Sequence, residues 1–246
     1  DRYASRGLGD VYKRQYRGYY EAQKVKKERI VLHFTVGNLK SDIDILTRPR
    51  PGYKQYRCSV PFVIARDGTI YQLFGSSYWA YHLGSGTIGG NEAASKKSIA
   101  IEMSNYGPLI LKGNNLETIY SRQGKSKKVD VYCTLQDTHK YIKLPTPFKG
   151  YQYFATFTDA QYQSLAILLR FLTAKHNIPR KFLGKSVRYK ANSATAGFRG
   201  IVSHVNFRPT GKWDIGPAFD WDRLIKSIES SSRRRNAVCL LYTSPS

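Results

Sequence analysis

Apolar residues of this chain cluster in short blocks of strand length, separated by polar and glycine-rich stretches. Residues 29–36 (RIVLHFTV) form a β-branched apolar run that predicts a buried strand, and residues 98–103 (SIAIEM) predict a second one. A shorter run at 201–203 predicts a third. The segment 59–74 predicts a hairpin, because its two apolar runs meet at an Asp-Gly pair (67–68), which suits the positive φ of a tight turn.

Two longer segments show helical spacing instead. The first, 158–176, begins with Thr158 and Gln161, the pair of a capping box, and carries leucines along one face. The second, 217–230, also has an apolar face and closes the fold. Strands interleaved with helices predict an α/β fold, a single domain with a mixed central β-sheet flanked by helices.

Three segments lack a clear period. Residues 39–57 mix charges with two prolines and predict a loop with at most one helical turn. Residues 105–156 are long and poorly periodic, with one short strand expected around 129–133. Such a stretch inside a compact domain is typical of a functional surface loop or an insertion. The basic, tyrosine-rich segment 16–28 is expected to form a lead-in arm.

Both ends of the chain differ in character from the rest. Residues 1–15 and those from about 236 onward resemble translated sequencing-adaptor read-through, the alternative being a genuine disordered tail. With the basic run that precedes it, the whole segment 231–246 is expected to lie outside the fold. We therefore expect the folded domain to span 29–230, with 105–156 as its insertion.

The net charge of the chain restricts the classes of partner that it is expected to bind. The formal net charge is +23, which favours polyanions such as nucleic acid, anionic lipid or the layers of a bacterial wall. No zinc finger, RNP motif or basic helix accompanies the charge, so specific nucleic-acid binding is not expected.

No apolar run approaches the roughly 20 residues that span a bilayer. Cys58, Cys133 and Cys239 show neither a disulfide framework nor metal-knuckle spacing.

Candidate chemistry is concentrated in residues 200–221 (GIVSHVNFRPTGKWDIGPAFDW), which bring His204, Lys212 and Asp214 close together in sequence. A histidine at a strand end, followed by a loop that returns a carboxylate, can supply two ligands to one metal ion. Catalytic zinc usually takes three protein ligands and keeps a fourth position for water. His33, within the first strand, could be the third ligand. Spacing alone leaves open that His33 is a core histidine and His204 a surface one.

Six blocks occur together in one order: VLHFTVG, VPFVIARDGTIYQL, YHLG, SIAIEMSN, FTDAQYQSL and SHVNFRPTGKWDIGPAFDW. Each is weak singly, but their joint order and spacing across residues 29–228 are specific. In these blocks the chain resembles the zinc-dependent N-acetylmuramoyl-L-alanine amidases, whose fold is shared by phage lysins, cell-wall recycling amidases and peptidoglycan recognition proteins. The resemblance implies hydrolysis of the amide bond between N-acetylmuramic acid and L-alanine in peptidoglycan.

The resemblance also implies a site. It places one Zn²⁺ per chain on His33, His204 and Asp214. It makes Glu102 the carboxylate that takes a proton from the attacking water, and Lys212 the cation that stabilises the oxyanion. The alternatives are a cap or salt-bridge role for Glu102 and an ordinary surface charge for Lys212.

The resemblance also implies residues that contact the substrate. His82, in YHLG, matches a histidine that lines the site in the family, and we expect a substrate or oxyanion contact there. A fourth ligand would close the water position. Tyr71 and Trp79 could line a sugar-binding groove, although core packing is an equal alternative for Tyr71.

Three positions depart from the family pattern. Val60 stands where some members carry a catalytic tyrosine, which favours Glu102 as the base. Ile215 replaces the proline that usually follows the last ligand. Ser203 replaces the glycine before the second histidine, a change that is tolerated if the backbone there has no positive φ. None of the three removes a ligand, so we expect an active enzyme.

The leading expectation is a monomeric, secreted or phage-type enzyme that lyses intact cell wall, since the positive charge suits an anionic wall better than small muropeptides. The alternatives are a non-catalytic peptidoglycan-binding module and a cytosolic amidase that recycles anhydro-muropeptides.

Overall fold

The computed structural model describes residues 19–48, 57–121 and 128–229 of the 246-residue chain. These ranges contain two β-sheets and four α-helices. In order, the elements are β1 (Arg29–Phe34), α1 (Leu39–Thr47), β2 (Phe62–Ile64), β3 (Ile70–Gln72), α2 (Asn91–Lys96), β4 (Ser98–Met103), β5 (Pro108–Lys112), β6 (Asn115–Thr118), β7 (Val131–Thr134), β8 (Tyr141–Phe148), β9 (Tyr151–Ala155), α3 (Asp159–Lys175), β10 (Gly200–Ser203) and α4 (221–229).

The central sheet has the strand order β10-β1-β4-β2-β3. β10, β1, β4 and β2 run parallel, and β3 returns antiparallel to β2. The predicted hairpin is therefore confirmed, with Gly68 at φ 89° in its turn. Because the parallel strands end at the same edge, His33 lies directly opposite Glu102, and β10 delivers its own C-terminal end beside them.

The two faces of this sheet are covered by different elements. α3 and α4 bury one face, where Ile30 and Leu32 of β1 belong to the largest apolar cluster. The opposite face carries Val31, which packs with residues of β10, α2 and the loop around Leu83. Since side chains alternate along a strand, His33 shares that second face with Val31. The helices thus bury one side of the sheet, and the other holds the polar site.

The long helix α3 confirms its sequence signal. The Thr158 side chain accepts a hydrogen bond from the backbone N–H of Gln161, and the Gln161 side chain accepts one from the backbone of Thr158. This reciprocal cap satisfies two donors that would otherwise be orphaned at the helix start. The helix ends at Lys175, with His176 as its C-cap.

The prediction of a loop over 39–57 is wrong for its first part, where α1 forms. Asn38 caps this helix by accepting a hydrogen bond from the backbone N–H of Ser41. Leu39, Ile43 and Leu46 recur at helical spacing and pack against an apolar cluster on the site face of the sheet. Prolines and charges further along hid this short amphipathic pattern. The remainder of the segment, 49–56, lies outside the described residues.

The short strand expected around 129–133 is confirmed as β7, but four further strands also form within 105–156. This segment forms a second, antiparallel five-stranded sheet with the order β7-β6-β5-β9-β8. Asn105 holds its two ends together, because its Nδ2 donates to the backbone oxygens of Ala155 and Thr156 at 3.3 and 3.0 Å. The insertion is therefore an ordered layer that leaves the central sheet after β4 and returns directly into α3.

None of the helices in the described ranges is long and apolar enough to cross a membrane. No disulfide joins Cys58 and Cys133, as their spacing predicted, and Cys239 lies outside the described residues.

Lys27, just before β1, is a buried lysine that the sequence did not single out. Its side chain is 1% exposed, and Nζ donates to the backbone oxygen of Lys96 at 2.8 Å. No carboxylate among the described residues forms an ion pair with it. Burial consequently lowers the pKa of Lys27 from 10.5 to about 7.

Replacing Lys27 by Met is expected to stabilise the fold below pH 7, and the gain should shrink as the pH rises toward 10.5. Between pH of about 7 and 10.5 the folded state binds fewer protons than the unfolded state, so the wild type becomes more stable as the pH rises. Below pH of about 7 the wild type carries the full cost of burying the charged lysine. The gain should not exceed a few kcal/mol, since the Lys96 carbonyl loses its donor. Thermal unfolding at about pH 6 and about pH 9.5 checks this, with the exposed Lys26→Met as control. Equal shifts at both pH values would contradict it.

Candidate metal centre

The carboxyl edge of the parallel strands brings three candidate ligands to one point. His33 projects from β1 and His204 begins the 3₁₀ turn that follows β10; their side chains are 1% and 2% exposed. Asp214 returns from the loop after that turn and is also buried. The Nδ1 atoms of the two histidines are 2.9 Å apart, and Asp214 Oδ2 lies 3.1 Å from the first and 2.8 Å from the second.

A contact on the side of the His204 ring that points away from the cluster determines which of its nitrogens can bind a metal. Its Nε2 lies 2.9 Å from the backbone oxygen of Leu83. A carbonyl can only accept, so Nε2 carries the proton and Nδ1 presents a lone pair to the centre. A metal-ligating histidine typically donates its other N–H in this way, which orients the ring.

His33 is oriented by a second histidine. Its Nε2 lies 3.0 Å from Nδ1 of His82, so a proton on Nε2 can be donated to His82 while Nδ1 faces the centre. Burial, and then the charge of His204, lower the pKa of His33 to about 4, which keeps the ring neutral at neutral pH. A neutral imidazole is the form that binds a metal.

Asp214 completes the set as an anion. Burial opposes its ionisation, but His204 and His33 outweigh burial and hold the pKa of Asp214 well below its usual range. The three candidate ligand atoms all lie within 4.8 Å of one another, and each side chain is buried. Two imidazoles and a carboxylate, buried and convergent, fit the donor set of catalytic zinc with one position left for water.

Glu102 lies next to this cluster, paired in register with His33 across the sheet. Its Oε2 atom is buried, and nothing among the described residues donates to it. Burial, and then the charge of Asp214, raise the pKa of Glu102 well above its usual range, while the charge of Lys212 opposes the rise. Lys212 is half-buried two residues before Asp214, where its charge acts on both Glu102 and His33. The arrangement combines a metal-type cluster, a carboxyl group with a raised pKa and a cation.

A family model described as N-acetylmuramoyl-L-alanine amidase matches residues 23–217. The chain belongs to this family. The match covers all the residues named at the cluster, and it confirms the resemblance inferred from the six blocks.

Among solved structures, one amidase shares the fold. The N-acetylmuramyl-L-alanine amidase AmiD from E. coli, in complex with anhydro-N-acetylmuramic acid-L-Ala-D-γ-Glu-L-Lys, matches with a TM-score of 0.51 and 20% identity, over 84% of this chain and 59% of the AmiD chain. The chain therefore spans less than two thirds of AmiD. AMPDH3 from Pseudomonas aeruginosa matches at 0.48 and 14%, over 97% of this chain and 76% of the other. LysC from Clostridium intestinale matches at 0.42 and 18%, over 82% and 85%. A search of the curated proteins finds no match.

The predicted substrate residues of this amidase-family chain occupy three different settings. His82 is 7% exposed and contacts His33, and its own Nε2 is buried without a partner. Tyr71 lies in the same register row as Val63 and Glu102, so it shares the site face, where it packs against an apolar cluster. Trp79 is 5% exposed, lies edge-on to Tyr81 and is covered by Lys96, which leaves little of its ring for a sugar.

The departures from the family pattern are accommodated by the backbone and the core. Ser203 has φ −124°, so a glycine is not required before His204. Ile215 is fully buried in the main apolar cluster, which anchors the loop immediately after Asp214. The sequence could not reveal the carbonyl of Leu83, since a backbone acceptor leaves no residue-type signal. The contact between His33 and His82 joins residues of separate segments and was missed for that reason.

Proposed function

We propose that this chain is a zinc-dependent amidase that hydrolyses the bond between N-acetylmuramic acid and L-alanine in peptidoglycan, through a catalytic domain spanning 29–230. The observation that carries the proposal is the convergence of His33, His204 and Asp214 beside the unpartnered Glu102. Membership of the amidase family gives the bond that is cut. The muramyl peptide bound in the AmiD complex belongs to the same substrate class.

The ligand residues would hold the zinc ion. His33 and His204 offer Nδ1, and Asp214 offers Oδ2. Zinc at such a site polarises the scissile carbonyl and lowers the pKa of bound water. The hydrogen bonds from His204 to Leu83 and between His33 and His82 keep both rings in the ligating orientation.

Glu102 would transfer the proton, and Lys212 would stabilise the developing negative charge. Glu102, once ionised, accepts a proton from the attacking water and passes it to the leaving amine of L-alanine. Its raised pKa makes the protonated form a competent donor in the second half of that exchange. The Lys212 ammonium stabilises the negative charge that develops on the carbonyl oxygen.

The strong positive charge favours intact cell wall over soluble muropeptides as the target. Purified protein loaded with zinc should therefore release new L-alanine amino termini from purified sacculi and reduce their turbidity. Binding to sacculi without release would indicate a recognition module. Cleavage confined to soluble anhydro-muropeptides would indicate a recycling enzyme. Salt-sensitive DNA binding without hydrolysis would remove the proposal altogether.

A further inference from the structure

The tip of the β8–β9 hairpin has a residue that its geometry does not favour. Lys149 and Gly150 form the two-residue turn, with φ angles of 49° and 88°. Both central residues of such a turn need positive φ, which Gly, Asn and Asp adopt most readily. A lysine at the first position has a conformational cost, and costs of this kind cluster at functional sites.

This tip is packed against the loop that carries Asp214. A Cβ added to Gly216 would lie 2.8 Å from the ring of Phe148, so only glycine permits the approach. On the other side of the turn, the Tyr151 ring meets the Trp213 ring edge-on, with centroids 5.7 Å apart. These contacts place the turn that contains Lys149 against the loop that carries Asp214, and the Lys149 side chain itself is exposed.

A second cation, Arg208, lies at the outer side of the His204 ring. Arg208 donates from Nη1 to the backbone oxygen of Leu83 at 3.0 Å, the oxygen that also accepts from His204. A Cβ on Gly84 would lie 2.6 Å from Nη1, so this glycine makes room for the guanidinium. Partial burial lowers the pKa of Lys149; the charge of Asp214 opposes this lowering and the charge of Arg208 adds to it, so both charges act on the lysine.

These cations have no carboxylate of their own. Within the described ranges neither Lys149 nor Arg208 forms an ion pair, and the same holds for Lys212. Asp214 is the carboxylate whose charge acts on Lys149, but its Oδ2 already faces both histidines. Two positive charges that act on each other repel, and an anion between them would relieve that repulsion.

We propose that Lys149 and Arg208 form a binding site for a carboxylate of the substrate's peptide stem. The inference rests on the proposed function and adds a specificity determinant to it. Lys149 belongs to the second sheet, which thereby gains a role in substrate selection.

The chemistry of the stem identifies the carboxylate. When D-glutamate is linked through its γ-carboxyl, its α-carboxylate stays free, and this is the first anionic group after the scissile bond. It lies one residue beyond L-alanine, roughly 7 Å from the amide that is cut, at about 3.5 Å of extended chain per residue. A site beside the metal centre is within that reach. Amidation of this carboxylate would remove the charge and leave the size of the group almost unchanged.

The test compares N-acetylmuramoyl-L-Ala-D-isoglutamyl-L-Lys with its D-isoglutaminyl counterpart. The wild type should have a KM about tenfold lower for the carboxylate form, the size of one charge-assisted hydrogen bond, with similar kcat. Lys149→Asn, which suits the positive φ and removes one of the two cations, should reduce the difference by raising only the KM of the carboxylate form. Lys149→Arg should retain it. Lys143→Asn, an exposed change in the same hairpin, serves as the control.

The outcomes separate two failures. If the zinc-loaded wild type cleaves neither peptide, the proposed function fails. If it cleaves both with equal KM, or if Lys149→Asn weakens both to the same extent, the carboxylate site is wrong and the amidase function stands. Zinc content and melting temperature of each variant show whether a loss arises from a damaged centre.

Discussion

Replacing Asp214 by Asn is expected to remove both zinc binding and hydrolysis. Asn keeps the shape of the side chain and loses the negative charge that His33 and His204 stabilise in the folded protein. Loss of a ligand should weaken zinc binding by more than the ~10- to 100-fold typical of changes to supporting residues. Hydrolysis should fall by about a thousandfold or more, equivalent to ~4 kcal/mol of transition-state stabilisation.

Zinc content after dialysis and release of L-alanine amino termini from sacculi measure the two effects of Asp214→Asn. Asp222→Asn is the matched control, since Asp222 lies further along the same segment on the surface and pairs with Lys185. The control should keep its zinc and its activity. Full wall lysis by Asp214→Asn would refute the ligand assignment.

Replacing Glu102 by Gln is expected to lower kcat by about 10²- to 10⁴-fold and to leave zinc content unchanged. The amide cannot take a proton from water, while no ligand atom is lost. Glu102 also offers a second signature. Its pKa is raised in the folded state, so its ionisation destabilises the fold as the pH rises above the ordinary value of 4.5. Glu102→Gln should therefore be more stable than the wild type near pH 8, and the difference should vanish at low pH.

Steady-state kinetics and thermal unfolding at two pH values test both signatures of Glu102→Gln. Glu117→Gln is the control, because Glu117 is buried in β6 and accepts a hydrogen bond from Ser121 at 2.6 Å, within the second sheet. It should leave kcat unchanged. Unaltered kcat in Glu102→Gln would remove Glu102 from the chemistry. Lost stability near pH 8 would show that its buried oxygen has a partner.

Elements specified by local interactions could be predicted from the sequence. The cap of α3 involves Thr158 and Gln161, three residues apart, so its signal is contained in a single window of sequence. The β2–β3 hairpin depends in the same way on one Asp-Gly pair. The strands β1 and β4 follow from apolar runs that are buried on both faces.

The second sheet escaped prediction for a physical reason. β8 contains Pro145 and Pro147, which in sequence argue against a strand. β8 is an edge strand, paired only with β9 in that sheet, so the missing N–H groups can face away from the ladder. Whether a strand lies at an edge is decided by its neighbours, which the sequence of that strand does not contain.

The sequence by itself determined the chemical types at the candidate site: two histidines, an aspartate, a glutamate and a lysine in an order that matches one family. Tertiary structure decided which of their atoms meet. His33 and His204 are 171 residues apart, and only the parallel pairing of β10 with β1 brings their Nδ1 atoms together. The contact of the Leu83 carbonyl and the proposed role of Lys149 both depend on position, because a backbone oxygen and one lysine among many gain a role only through where the fold places them relative to His204 and Asp214.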